Sequence, residues 1–146
     1  EPAFVRQTGE EDSMTKARQA VIDVLSLASE PLSAAAVYQH LGNLCDQVTV
    51  YRTLHYLEEH GFADSFVLHC EEHGTERYYT ALRGREGAAT LHRHWFHCER
   101  CHRFIDLGSC KIDRLVSEYE QEYGIEVKNH TLYFTGVCKG CRARGT

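Results

Sequence analysis

Two Cys-x-x-Cys pairs, Cys98-Glu99-Arg100-Cys101 and Cys138-Lys139-Gly140-Cys141, constrain this chain more than any other feature; 36 residues separate them. Four thiolates at this spacing suit a tetrahedral zinc ion, with Zn–S distances of about 2.3 Å. The two pairs satisfy the ion without a further ligand, so the site reads as closed and structural. An ion held this way contributes on the order of 10 kcal/mol to the folding of a small unit. A thioredoxin-type redox pair needs one Cys-x-x-Cys at the start of a βαβ unit, and that context is missing. No basic, then apolar, then small-residue leader opens the chain, so the seven cysteines read as cytoplasmic thiols or metal ligands rather than disulfides. Cys45, Cys70 and Cys110 stand outside the pairs and read as small buried hydrophobes. Cys70 is the exception to weigh, because His69-Cys70-Glu71-Glu72-His73 gathers donors into an expected turn.

The 146 residues hold one domain or two small ones, and a 42% hydrophobic content excludes wholesale disorder. No apolar run approaches the roughly 18 residues that span a bilayer, so no membrane partner is expected. Residues 1–13 are polar and acidic and read as a flexible tail or a frayed first helix. From Met14 the spacing of Ala17, Val21, Val24, Leu25 and Ala28 is helical, with Thr15 as its expected N-cap and Pro31 beyond its end. Ser33 caps a second helix carrying Ala34, Val37, Tyr38 and Leu41, closed at Gly42. A third helix begins near Asp46, buries Val50, Leu54 and Leu57, and stops at Gly61. Strands over 66–68 and 77–80 flank a turn at 71–75. Three short helices and a hairpin outline a winged helix-turn-helix over residues 1–83, an outline shared by many small α+β domains.

Residues 84–89 are small and polar and read as a linker or hinge. Residues 90–146 alternate: strands near 91–98 and 103–107, a helix over 111–123 stopped by Gly124, and a strand over 126–135. The whole is therefore read as α+β. Residues 1–83 hold 6 Lys/Arg against 13 Asp/Glu, a balance of −7, whereas the remainder holds 10 against 8, a balance of +2.

Within Leu91-His92-Arg93-His94-Trp95-Phe96-His97-Cys98, strand alternation puts His92, His94, Phe96 and Cys98 on one face. Two imidazoles two residues apart make a chelating pair; a polar strand face with solvated histidines is the plainer reading. His97 and His102 flank the first cysteine pair.

At these residues the chain resembles the ferric uptake regulator (Fur) family of bacterial metal- and peroxide-responsive transcription factors, from about Met14 to Cys141. Thr15-Lys16-Ala17-Arg18 is similar to the family's T-x-x-R. Val48-Thr49-Val50-Tyr51-Arg52-Thr53-Leu54 is similar to its A-T-V-Y-R-x-L recognition helix, and Glu59-His60-Gly61-Phe62 to that helix's end. His92-x-His94-x-x-x-Cys98-x-x-Cys101 and Asn129-His130-Thr131-Leu132-Tyr133 are similar to its C-terminal dimerisation domain. The resemblance implies a structural zinc on Cys98, Cys101, Cys138 and Cys141. It implies a second divalent metal, zinc preferred over iron or manganese, on His92, His94, Asp113 and His130; such N and O donors suit all three ions. The family's usual sensing site draws on positions that here hold Pro31, Thr80, Arg93 and Trp95, none of them a ligand; only Asp106 matches a ligand of the peroxide-sensing branch. Sensing then falls to the His92/His94/Asp113/His130 set or to His69, Cys70 and His73.

The resemblance also implies a homodimer on palindromic double-stranded DNA, acting as a repressor of metal-homeostasis genes. A −7 balance opposes phosphate binding, so the cations must be local: Lys16, Arg18, Arg52 and Arg77 on one face. With the third helix in the major groove, Tyr51 would meet a thymine methyl, Arg52 phosphate or guanine, and Gln47 or Thr49 base edges. Two other classes compete. A zinc hydrolase on the second metal would need a general base and a cleft, and no H-E-x-x-H accompanies the ligands. A zinc-stapled interaction module would lack the Val48–Leu54 helix. No small-molecule substrate is implied.

Overall fold

The computed structural model describes residues 8–82 and 93–145. It divides into two compact units, Glu1–Thr90 and Leu91–Thr146. The expected linker at 84–89 and His92 lie outside the described residues.

The first unit runs α1 (Thr8–Leu27), β1 (Leu32–Ser33), α2 (Ala34–Leu41), α3 (Gln47–Glu59), β2 (Ala63–Cys70) and β3 (Gly74–Ala81). The strands form an antiparallel sheet in the order β1-β3-β2, the wing of a winged helix-turn-helix. One expectation fails in α1: the helix begins at Thr8, so Thr15 lies inside it and is no N-cap. Of the two readings of residues 1–13, a tail or a frayed first helix, the helical one fits from Thr8 on.

The caps of the next two helices follow the sequence. Ser33 Oγ accepts from Ala36 N at 3.2 Å, and Asp46 Oδ1 accepts from Thr49 N at 2.8 Å. At the end of α3, Gly61 takes a left-handed φ of 77°, and Phe62 N donates to Leu57 O at 2.8 Å while Gly61 N donates to Glu58 O at 3.2 Å. These paired bonds close the last turn and return the chain into β2. Val21, Leu25, Ala34, Val37, Val50, Leu54, Leu57 and Ala63 form the core under the helices, with Cys45 packed against it as a small hydrophobe.

The second unit runs β4 (Arg93–Cys98), β5 (Phe104–Ser109), α4 (Asp113–Tyr123), β6 (Tyr133–Gly136) and α5 (Lys139–Ala143). The sheet order is β5-β4-β6, with β5 antiparallel and β6 parallel to β4. The strand expected over 126–135 contracts to four residues. The chain before it takes other bonds: Val127 N donates to Glu120 Oε2 at 3.0 Å. Gly124 ends α4 in the left-handed region, as expected. A core cluster here consists of Cys98, Cys138 and Cys141, flanked by Phe96, Ile105 and Val137, and α4 buries none of its residues. Among the described residues the unit thus buries few apolar groups, the situation in which small domains draw stability from a metal or a partner. Among the described residues, no helix is long and apolar enough to cross a membrane.

Candidate metal centres and nucleic-acid surface

The four cysteines of the two pairs converge, their sulfurs all within 4.8 Å of one another. The first pair sits at the turn after β4; the second opens α5, with Cys138 as its N-terminal flanking residue. Cys101 Sγ and Cys138 Sγ are 3.7 Å apart. A tetrahedron with Zn–S bonds of about 2.3 Å has S···S edges of about 3.8 Å, so the quartet fits the ion. Burial pushes the Cys98 thiol up, but backbone N–H groups of Cys101, Cys138 and Arg100 outweigh it and draw the group down to about 5. Cys138 is lowered chiefly by the Cys141 N–H, whereas sharing a hydrogen bond with Cys138 pushes Cys141 up to about 11. Amides aimed at sulfur are what a thiolate site requires, since the thiolate is the ligand form.

A second cluster joins His94, Cys110 and His130. His94 Nε2 and His130 Nε2 lie 3.3 Å apart, and Cys110 Sγ lies 3.4 Å from His130 Nε2. The Leu132 carbonyl can only accept, so His94 Nδ1 donates to it, at 2.8 Å, which leaves Nε2 as the nitrogen available to a metal. Two of the four residues expected here, His94 and His130, thus meet. Asp113 does not join them: it is exposed at the first turn of α4. Cys110, expected to be an inert hydrophobe, takes its place.

His69, Cys70 and His73 form no such cluster among the described residues. His69 and Cys70 are adjacent on β2 and point to opposite faces, and His69 Nδ1 bonds Thr75 Oγ1 at 2.9 Å across the hairpin.

On the first unit, α3 turns Val50, Thr53, Leu54 and Leu57 into the core. Gln47, Val48, Tyr51, Arg52 and His55 form its exposed side, with Tyr51 51% and Val48 56% accessible. Tyr51 is therefore no core aromatic. Thr49 is half-buried and occupied with the Asp46 cap. Lys16 is exposed, but Arg18 is half-buried with its Cζ 3.5 Å from the centroid of the Tyr56 ring. Arg77 Nη1 donates to Ser65 Oγ at 2.9 Å, and Ser65 Oγ donates to Glu58, which links the wing to α3.

The model of the ferric uptake regulator family matches residues 12–135. The chain belongs to this family. The ferric uptake regulation protein of Bacillus subtilis (strain 168) is 31% identical over 137 residues, covering 91% of this chain and 87% of its own length. The ferric uptake regulator Fur of Helicobacter pylori, whose structure reveals three functional metal binding sites, is 25% identical with a TM-score of 0.62, over 87% of this chain and 80% of its own. The peroxide stress regulator of Campylobacter jejuni shares the fold, with a TM-score of 0.71 at 20% identity, over 97% of this chain and 99% of its own. Members of the ferric uptake regulator family are metal-responsive transcription regulators that bind DNA, not enzymes, which removes the hydrolase reading.

Thr80 lies in β3, and Pro31 precedes β1. Arg93 Nη1 pairs with Asp106 Oδ2 at 2.9 Å, and Gly108 N donates to Asp106 Oδ1 at 2.8 Å. The Asp106 carboxylate is thus already engaged by a guanidinium and a backbone amide.

Proposed function

We propose that this chain is a zinc-responsive repressor of metal-homeostasis genes, acting in the cytoplasm as a homodimer on palindromic operator half-sites. The observation that carries the DNA reading is the exposed side of α3, where Gln47, Val48, Tyr51 and Arg52 stand free of the core at helical spacing. Tyr51 and Val48 offer apolar contact to thymine methyls, Gln47 reads a base edge, and Arg52 binds phosphate or guanine. Lys16 and Arg77 supply further phosphate contacts. With so few cations in a chain of net charge −5, one unit binds weakly and two half-sites are needed.

The second unit supports the dimer. Leu115, Tyr119 and Tyr123 recur at four-residue spacing on α4 and remain exposed, as do Ile125 and Phe134. A second copy that covers this face supplies the burial that the unit lacks. Cys98, Cys101, Cys138 and Cys141 would hold the structural zinc. The second metal would lie at His94 and His130, with His92 as the further donor read from sequence and Asp113 set aside by its place on α4; when bound it acts as the ligand that favours the DNA-competent arrangement. Zinc is preferred because the clustered donors are nitrogen and sulfur, and because Arg93 occupies the Asp106 carboxylate.

Iron as the sensed metal is the second reading, favoured by the likeness to ferric uptake regulation proteins. Operator binding measured across titrations of Zn²⁺, Mn²⁺ and Fe²⁺ separates them. Zinc alone should raise affinity at the lowest free concentration, and a response to iron but not zinc overturns the preference. Tyr51→Ala should cost about 1–3 kcal/mol of operator affinity. Arg52→Ala should weaken all sequences and flatten the salt dependence. Unchanged binding by both variants would reject α3 as the reading helix.

A further inference from the structure

We infer that Cys110 is a metal ligand, which makes the His94/His130 centre a thiolate-containing site for a thiophilic divalent ion, zinc foremost. The inference rests on the second metal proposed above and changes its donor set. Three observations carry it.

The first is distance. About 2.05 Å for Zn–N and 2.3 Å for Zn–S give tetrahedral edges of about 3.3 Å for N···N and 3.6 Å for N···S. The cluster has 3.3 Å between the two Nε2 atoms and 3.4 Å from His130 Nε2 to Cys110 Sγ. The second is orientation. Leu132 O holds the His94 Nδ1 proton, so the Nε2 lone pair faces the other two groups, the arrangement found around metal-bound histidines. The third is a backbone device. Arg93 pairs with Ser109 and Trp95 with Asp106, so the one β4 residue between them, His94, faces two on β5, Leu107 and Gly108. This bulge, with Gly108 at φ 84°, turns the end of β5 so that Cys110 arrives beside His94 and His130. Bulges are a recognised means of re-aiming a side chain at a site. Asp113, three residues on, is carried away onto α4.

Exchange of a carboxylate for a thiolate changes which ion the centre prefers. Two imidazoles and a thiolate favour Zn²⁺, with Co²⁺ as its spectroscopic stand-in, and disfavour Mn²⁺, which seeks oxygen donors. The sequence pattern did not expose this, because Cys110 has no partner cysteine at knuckle spacing.

The test uses the full chain with one zinc retained in the four-cysteine site, verified by native mass spectrometry. One equivalent of Co²⁺ is added to wild type, Cys110→Ser, His94→Ala and Asp113→Asn. Wild type and Asp113→Asn should take up cobalt with a thiolate-to-cobalt charge-transfer band. Cys110→Ser should lose that band and bind Zn²⁺ at least about tenfold more weakly, while keeping its melting temperature in the metal-free second site. His94→Ala should lose the cobalt altogether. An unchanged band and affinity in Cys110→Ser, or loss of metal only in Asp113→Asn, overturns the role of Cys110 and leaves the second metal standing. A wild type that takes up no cobalt or zinc beyond the first ion overturns both.

Discussion

The guanidinium of Arg18 on α1 lies over the ring of Tyr56 on α3, 3.5 Å from its centroid, and its Nε is buried without a hydrogen-bond partner. Tyr56 in turn stacks on His60, with ring centroids 3.9 Å apart. This residue belongs to the T-x-x-R sequence that suggests a phosphate contact. The geometry of Arg18 instead clamps α1 to α3, since a desolvated cation over an aromatic face is a packing interaction as well as an electrostatic one.

Arg18→Ala should therefore lower the stability of the first unit. A double-mutant cycle with Tyr56→Leu should give a coupling of about 0.5–2 kcal/mol in thermal or denaturant unfolding. The salt dependence of operator binding should keep its slope. A slope reduced by about one ion with no loss of stability would return Arg18 to the phosphate contacts.

How much of this was legible in the sequence depends on how local each signal was. Ser33 and Asp46 announce their helices because a cap is written within four residues. The double cysteine pair announces its site because spacing alone defines the chelate. Other features were carried by tertiary pairing. β1 is two residues long and exists only because Leu32 and Ser33 meet Tyr79 and Tyr78. α5 spans five residues, too few to show a period. β6 is short because the chain before it bonds elsewhere, Val127 N to Glu120 Oε2 and Leu132 O to the His94 ring. Cys110 was illegible for a related reason: its role depends on a bulge in the strand before it, and no linear pattern specifies where a bulge aims the chain.

The Asp46 cap gives α3 a pH dependence. Hydrogen bonds from the Thr49 side chain and then its backbone N–H hold the Asp46 carboxyl below its ordinary range. A lowered carboxylate contributes stability above its unfolded pKa, about 3.9, and loses it as the pH falls through the folded value. Asp46→Ala should thus melt below wild type at neutral pH, and the gap should close as the pH drops below about 4. Circular dichroism melts across that range check it; a gap that persists unchanged in acid would show that the carboxylate charge is not what caps α3.

The core cluster of the second unit is gathered around the four-cysteine centre. Cys98 is fully buried and its sulfur accepts from Cys101 N at 3.5 Å and Cys138 N at 3.4 Å, so it ties both pairs together before any ion is considered. Cys98→Ser should remove one zinc per chain by native mass spectrometry and unfold the second unit, because an ion worth on the order of 10 kcal/mol outweighs what so small a core supplies. The first unit has its own core under α1, α2 and α3 and should keep its helical signal. The variant should therefore retain a monomeric, partly folded chain that no longer binds the operator tightly. A Cys98→Ser protein that is zinc-free, dimeric and unchanged in melting would reject the zinc as a structural element.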